Sequence, residues 1–139
     1  MNNNPVFIVD DDTDDHHLVR ECWKELGFAN ALVFFKSGEE VLQYLQATKV
    51  SPFLILCDVN VPAMGGFELK SILMRDELLN YKSVPFIFWS TYASNRQIKQ
   101  AFSLSAHGFF IKGNKIAELK ESLSEIINYW QKSKQPEID

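Results

Sequence analysis

Residues 8–17 read IVDDDTDDHH, where an apolar run opens into five aspartates within six positions: Asp10, Asp11, Asp12, Asp14 and Asp15. Two carboxylates about 4 Å apart repel by roughly 4 kcal/mol at an effective dielectric near 20. Such side chains either splay into water or gather round a positive charge. Further polar residues follow other apolar runs: Asp58 after LILC, Ser90 and Thr91 after FIFW, and Lys112, Gly113 and Asn114 after GFFI. Acids, a further acid, hydroxyls and a lysine are the parts needed to hold a divalent metal and a phosphoryl group. Magnesium is a hard cation that binds through one or two carboxylates, with carbonyls, waters and phosphate completing its shell. A carboxylate can accept a phosphoryl group as an aspartyl phosphate. The transfer is mostly positioning and charge neutralisation, which a lysine, a hydroxyl and a metal supply.

These residues need elements that bring them to one place. Short, nearly continuous apolar runs at 6–9, 31–35, 53–57, 86–89 and 109–111 suit parallel strands buried on both faces. Between them apolar residues recur three and four apart, the helical period. The stripes are Leu18, Val19, Cys22, Trp23 and Leu26; Val41, Leu42 and Leu45; Leu69, Ile72 and Leu73 with Leu78 trailing; Ile98, Ala101 and Phe102; and Ile116, Leu119, Leu123, Ile126, Ile127 and Trp130. Gly27 stops the first helix, Ser37-Gly38 opens the second, and Ser94 or Asn95 caps the fourth. Pro85 stands at a strand start, which a sheet tolerates. Alternating strands and helices predict a parallel sheet with helices on both faces. In such open sheets, sites form at the carboxyl ends of the strands, where the acids, hydroxyls and lysine stand.

The bulk properties narrow the class. A chain of 139 residues is expected to be one domain, 1–139, with its core at about 5–132 and a polar tail, SKQPEID, at 133–139 containing Pro136. Net charge is −4 with no basic stripe, which argues against nucleic acid as a partner. MNNNPV lacks the charged and apolar regions of a secretory signal, and no run approaches the 18 or so apolar residues of a membrane span. Cys22 and Cys57 sit in apolar segments without metal-ligand spacing, so they are expected to be buried, reduced thiols in a cytoplasmic protein.

In combination, IVDDD, LILCDVNVPAMGGFEL, FIFWST and GFFIKG resemble the receiver domains of two-component response regulators, from about Val6 to Trp130. An acid pair, a single acid followed four residues on by Pro62, a hydroxyl and a lysine occur in the family's order. The resemblance implies a flavodoxin-like (βα)5 sandwich with strand order 2-1-3-4-5. It implies that Asp58 is the phosphoacceptor and that Asp11, directly, and Asp10, through water, hold Mg²⁺, with Mn²⁺ as a substitute. The Asn60 backbone carbonyl completes the metal site, Ser90 is the switch hydroxyl, Lys112 pairs with the phosphoryl group, and Phe109 is the responding aromatic, a position where many members carry Tyr. A sensor histidine kinase or phosphotransfer protein is the implied donor, with a downstream protein target reached through the fourth helix, fifth strand and fifth helix. The family's usual Lys-Pro is Lys112-Gly113 here. The loop is therefore either trans and reshaped, or a strained cis form that glycine tolerates. Thr91 replaces a small alanine and Tyr92 follows; both are expected to narrow access to Asp58 and lengthen the phosphorylated state.

Plainer roles account for the other candidates. Asp12 caps the first helix, while Asp14 and Asp15 in its first turn favour the positive end of its dipole. His16 and His17 point about 100° apart and are expected as ordinary surface or rim side chains. His107 is placed in the turn before the fifth strand, Phe86–Trp89 in the core, and Tyr129 and Trp130 either on the domain or in a docking patch. Two other functions compete: a receiver-like binding module that works without phosphorylation, and a haloacid-dehalogenase-type phosphatase. The phosphatase needs Thr or Val at position 14, where Asp14 stands.

Overall fold

A computed structural model describes residues 3–61, 64–75, 81, 83–113 and 115–134. Pro62, Leu78, Asn114 and the tail from residue 135, with Pro136, lie outside the described residues. The apolar runs form β1 (Val6–Val9), β2 (Leu32–Phe35), β3 (Leu54–Asp58), β4 (Phe86–Ser90) and β5 (Gly108–Ile111). The striped segments form α1 (Thr13–Leu26), α2 (Gly38–Thr48), α3 (Gly66–Arg75), α4 (Asn95–Ser103) and α5 (Ile116–Lys132). All strands pair in parallel in the order β2-β1-β3-β4-β5, the flavodoxin-like arrangement.

Successive strand residues point to opposite faces, and both faces are covered. Phe7, Val9, Ile55, Cys57, Phe86 and Phe88 meet Val41 and Leu45 of α2, Leu69 and Leu73 of α3, and Ala101 of α4. Val6, Ile8, Leu54, Leu56, Ile87 and Trp89 meet Val19, Cys22 and Trp23 of α1 and Leu119, Leu123, Ile126 and Ile127 of α5. This two-sided burial explains why the central runs contain no polar interruption. Cys22 and Cys57 are both buried and unbridged.

Local chemistry sets the ends. Asp12 accepts from the Asp14 N–H at 2.9 Å and caps α1. Gly27 ends that helix at φ 69°, a left-handed conformation that costs glycine little, with its N–H on Trp23 O. Ser37 caps α2, and Ser94 and Gln97 form a reciprocal capping box on α4. The stripe expected on α4 is narrower than its spacing suggests: Ala101 is buried, Ile98 is half-buried and Phe102 is 53% exposed. This helix packs beside the edge strand β5 and buries Ala101 alone of its residues. No helix among the described residues is long and apolar enough to cross a membrane.

Candidate functional site

Parallel strands run in one direction, so whatever follows each of them arrives at the same edge of the sheet. Pairing aligns Val9 with Cys57, Asp58 with Trp89, and Ser90 with Ile111, which brings Asp10, Asp58 and Lys112 together. Lys112 Nζ donates to Asp10 Oδ2 at 2.7 Å, Asp58 Oδ2 at 2.7 Å and Asp15 Oδ2 at 3.0 Å. It lies 5.0 Å from the centre of the Trp89 ring, in the range of a cation–π contact. The second oxygens are also engaged: Asp58 Oδ1 accepts from Asn60 N at 2.8 Å, and Asp10 Oδ1 from Asp12 N at 3.0 Å.

Three carboxylates share one ammonium, an excess of two negative charges (−3 + 1). Burial pushes the Asp10 carboxyl up to about 6, although Lys112 pulls the other way. Burial also works against the Lys112 ammonium, but hydrogen bonds and charge from Asp10 and Asp58 outweigh it and hold its pKa above the usual lysine range. One oxygen from each of Asp10, Asp15 and Asp58 lies within 4.8 Å of the others. A buried carboxyl with an elevated pKa, in an all-oxygen set carrying excess negative charge, fits a hard divalent cation.

The other expected site residues stand around this cluster. Asn60 Nδ2 donates to Ser90 Oγ at 3.4 Å, and the buried Ser90 hydroxyl donates to the Tyr92 carbonyl at 2.7 Å rather than to Asp58. Phe109 is half-buried, with its ring 6.2 Å from that of Phe88. Asp11 is exposed and stands outside the three-carboxylate cluster. Thr91 lines a cavity of about 170 Å³ beside Lys112, with Trp89, Leu18 and Ile116. Tyr92 is 75% exposed, so its ring is not packed over the site. No peptide bond among the described residues is cis, Lys112–Gly113 included. At Gly113 an added Cβ would collide with the Glu118 side chain, so the loop passes close against the start of α5.

Two residues differ from their sequence reading. Asp15 does more than favour the helix dipole. It is the third residue of α1, and helical side chains lean toward the N-terminus, which carries its carboxylate back over the strand ends to Lys112. His16, expected at the surface or rim beside the exposed His17, is buried. Its Nε2 sits 2.6 Å from the Asp10 carbonyl, an acceptor only, so Nε2–H donates. Its ring lies 4.8 Å from that of Phe34. His107 does precede β5, where its Nδ1 accepts from Phe86 N.

The fold and this cluster together define a class. The response regulator receiver domain model matches residues 6–124, and the chain belongs to that family of signalling modules. It is 30% identical over 125 residues to chemotaxis protein CheY-3 of Vibrio cholerae, covering 89% of this chain and 92% of that one. Its fold is similar to that of the phosphorylated cyanobacterial phytochrome response regulator RcpA, with TM-score 0.86, 24% identity, and coverage of 98% and 100%. It is likewise similar to the Mn(2+)-bound form of response regulator Rcp1, with TM-score 0.81, 21% identity, and coverage of 96% and 99%.

Proposed function

We propose that the chain is a phosphorylation switch in which residues 1–139 act as one receiver domain. A sensor histidine kinase or phosphotransfer protein donates the group. An Asp58 carboxylate oxygen attacks phosphorus, the bond from phosphorus to the donor imidazole nitrogen breaks, and the electron pair leaves with the imidazole. The observation that carries this reading is the convergence of Asp10 and Asp58 on Lys112 at 2.7 Å each, an acceptor beside a fixed positive charge. Asp10, Asp11, Asp58 and the Asn60 carbonyl would hold Mg²⁺ or Mn²⁺, which when bound neutralises charge on the transferring oxygens.

Lys112 holds a phosphoryl oxygen, and Ser90 leaves the Tyr92 carbonyl to bond another. Phe109 follows, which alters the surface of α4, β5 and α5 for an unidentified protein target or for onward relay. Thr91, on the wall beside Lys112, shapes access for water. The chain is an acceptor that takes part in its own phosphorylation and slow dephosphorylation rather than an enzyme acting on a separate substrate. It acts in the cytoplasm without nucleic acid and without membrane insertion.

Incubation with acetyl phosphate and Mg²⁺, followed by intact mass, tests the reading. One phosphoryl mass is expected on the wild type and none on Asp58→Asn. Failure of the wild type to gain mass would favour a binding module that works without phosphorylation.

A further inference from the structure

We infer that Asp15 is a positioning residue that shares Lys112 with the acceptor and thereby weakens the lysine's hold on a phosphoryl group. The inference rests on Asp58 being that acceptor. An ammonium has three hydrogens, and the contacts to Asp10, Asp58 and Asp15 use all of them. A phosphoryl group on Asp58 inherits the hydrogen that Asp58 already receives. A second phosphoryl oxygen gains one only if another carboxylate gives way. Asp15 is that carboxylate: its contact is the longest at 3.0 Å, and its side chain is 29% exposed against 1% for Asp10.

The same charge acts in opposite senses on two ligands. Asp15 adds negative charge beside Asp10 and Asp58, which attracts a divalent cation and repels an anionic phosphoryl group. Asp15→Asn therefore separates them. Cation affinity falls while phosphoryl affinity rises, each by about fivefold, the scale of a part-exposed ion pair. A residue that merely supports the fold would weaken both.

The probes are Mn²⁺ alone, followed by the paramagnetic signal of the free ion, and beryllofluoride at saturating Mg²⁺, followed by fluorine resonance. Asp14→Asn is the control, because it removes an equal charge from the same helical turn at an exposed side chain. It is expected to leave both constants within about twofold. Asp15→Ser repeats the test should Asp15→Asn fold poorly. Opposite shifts in the Asp15 variants beyond those of Asp14→Asn support the inference. Shifts in the same direction, or no larger than the control's, overturn it while leaving the acceptor assignment intact. Beryllofluoride binding that is absent in the wild type, or unchanged in Asp58→Asn, removes the acceptor assignment and this inference with it.

Discussion

Asp10 carries a charge that the fold opposes, and replacing it with asparagine measures that opposition directly. Its carboxyl is 1% exposed and titrates near 6 rather than 3.8, mainly because burial disfavours the anion. The folded chain therefore holds a proton there between about pH 4 and pH 6 that the unfolded chain releases. Asp10's contribution to stability is complete below the unfolded value and is lost as pH rises through the folded one. A difference of about two pKa units corresponds to about 3 kcal/mol once both states are ionised. Asp10→Asn removes the charge but leaves one poor contact: with its oxygen accepting from Asp12 N, its NH2 takes the place of Oδ2 against the Lys112 ammonium, donor facing donor, at a cost that does not vary with pH, while Lys112 retains Asp15 and Asp58. In chelator-treated buffer, the stability of Asp10→Asn relative to the wild type should rise by about 3 kcal/mol from its value below pH 4 to pH 7, with about half of that rise reached at pH 5. Urea unfolding followed by circular dichroism across this range reads the effect. A difference between the two proteins that does not change with pH, or that moves against the variant as pH rises, would refute the assignment of Asp10 as a buried anion held against its desolvation.

Two further expectations concern the elements that frame the site. Ser94→Ala removes one arm of the capping box on α4, so denaturant unfolding should show a loss of about 1 kcal/mol. Gly113→Ala drives a methyl group into the Glu118 side chain and should cost about 1–3 kcal/mol; made in a Glu118→Gly background, which carries its own helix cost of about 1 kcal/mol, the same change should cost little further in the same assay.

Much of this arrangement can be read from residue order alone, for physical reasons that differ from place to place. The central strands announce themselves because both faces are covered, leaving Phe7 to Val9 and Leu54 to Cys57 no polar position. The meeting of Asp10, Asp58 and Lys112 follows from parallel pairing, since each stands at the end of a strand or directly after it. Asp15 is harder to place because the first turn of a helix serves two ends: the same carboxylate that suits the dipole also leans over the strand ends. His16 reads as a surface residue beside another histidine, yet the Asp10 carbonyl and the Phe34 ring make it a buried niche. The Ser90 hydroxyl depends on where the backbone of Tyr92 turns, and no spacing rule reports that.

Under the proposed phosphorylation switch, the hydroxyl of Ser90 has consequences for signalling noise. It carries one hydrogen, and the Tyr92 carbonyl takes it at 2.7 Å. Turning toward a phosphoryl oxygen exchanges that bond, worth about 1 kcal/mol, for a charge-assisted one roughly twice as strong. The net bias from this one group is about 1 kcal/mol, or about fivefold in the ratio of the two loop arrangements. A serine with this geometry casts a weak vote, too small to make the loop all-or-none. Under the proposed switch, its loss should lower the gain of the response and leave the threshold for phosphorylation, assigned there to Asp58 and Lys112, where it was.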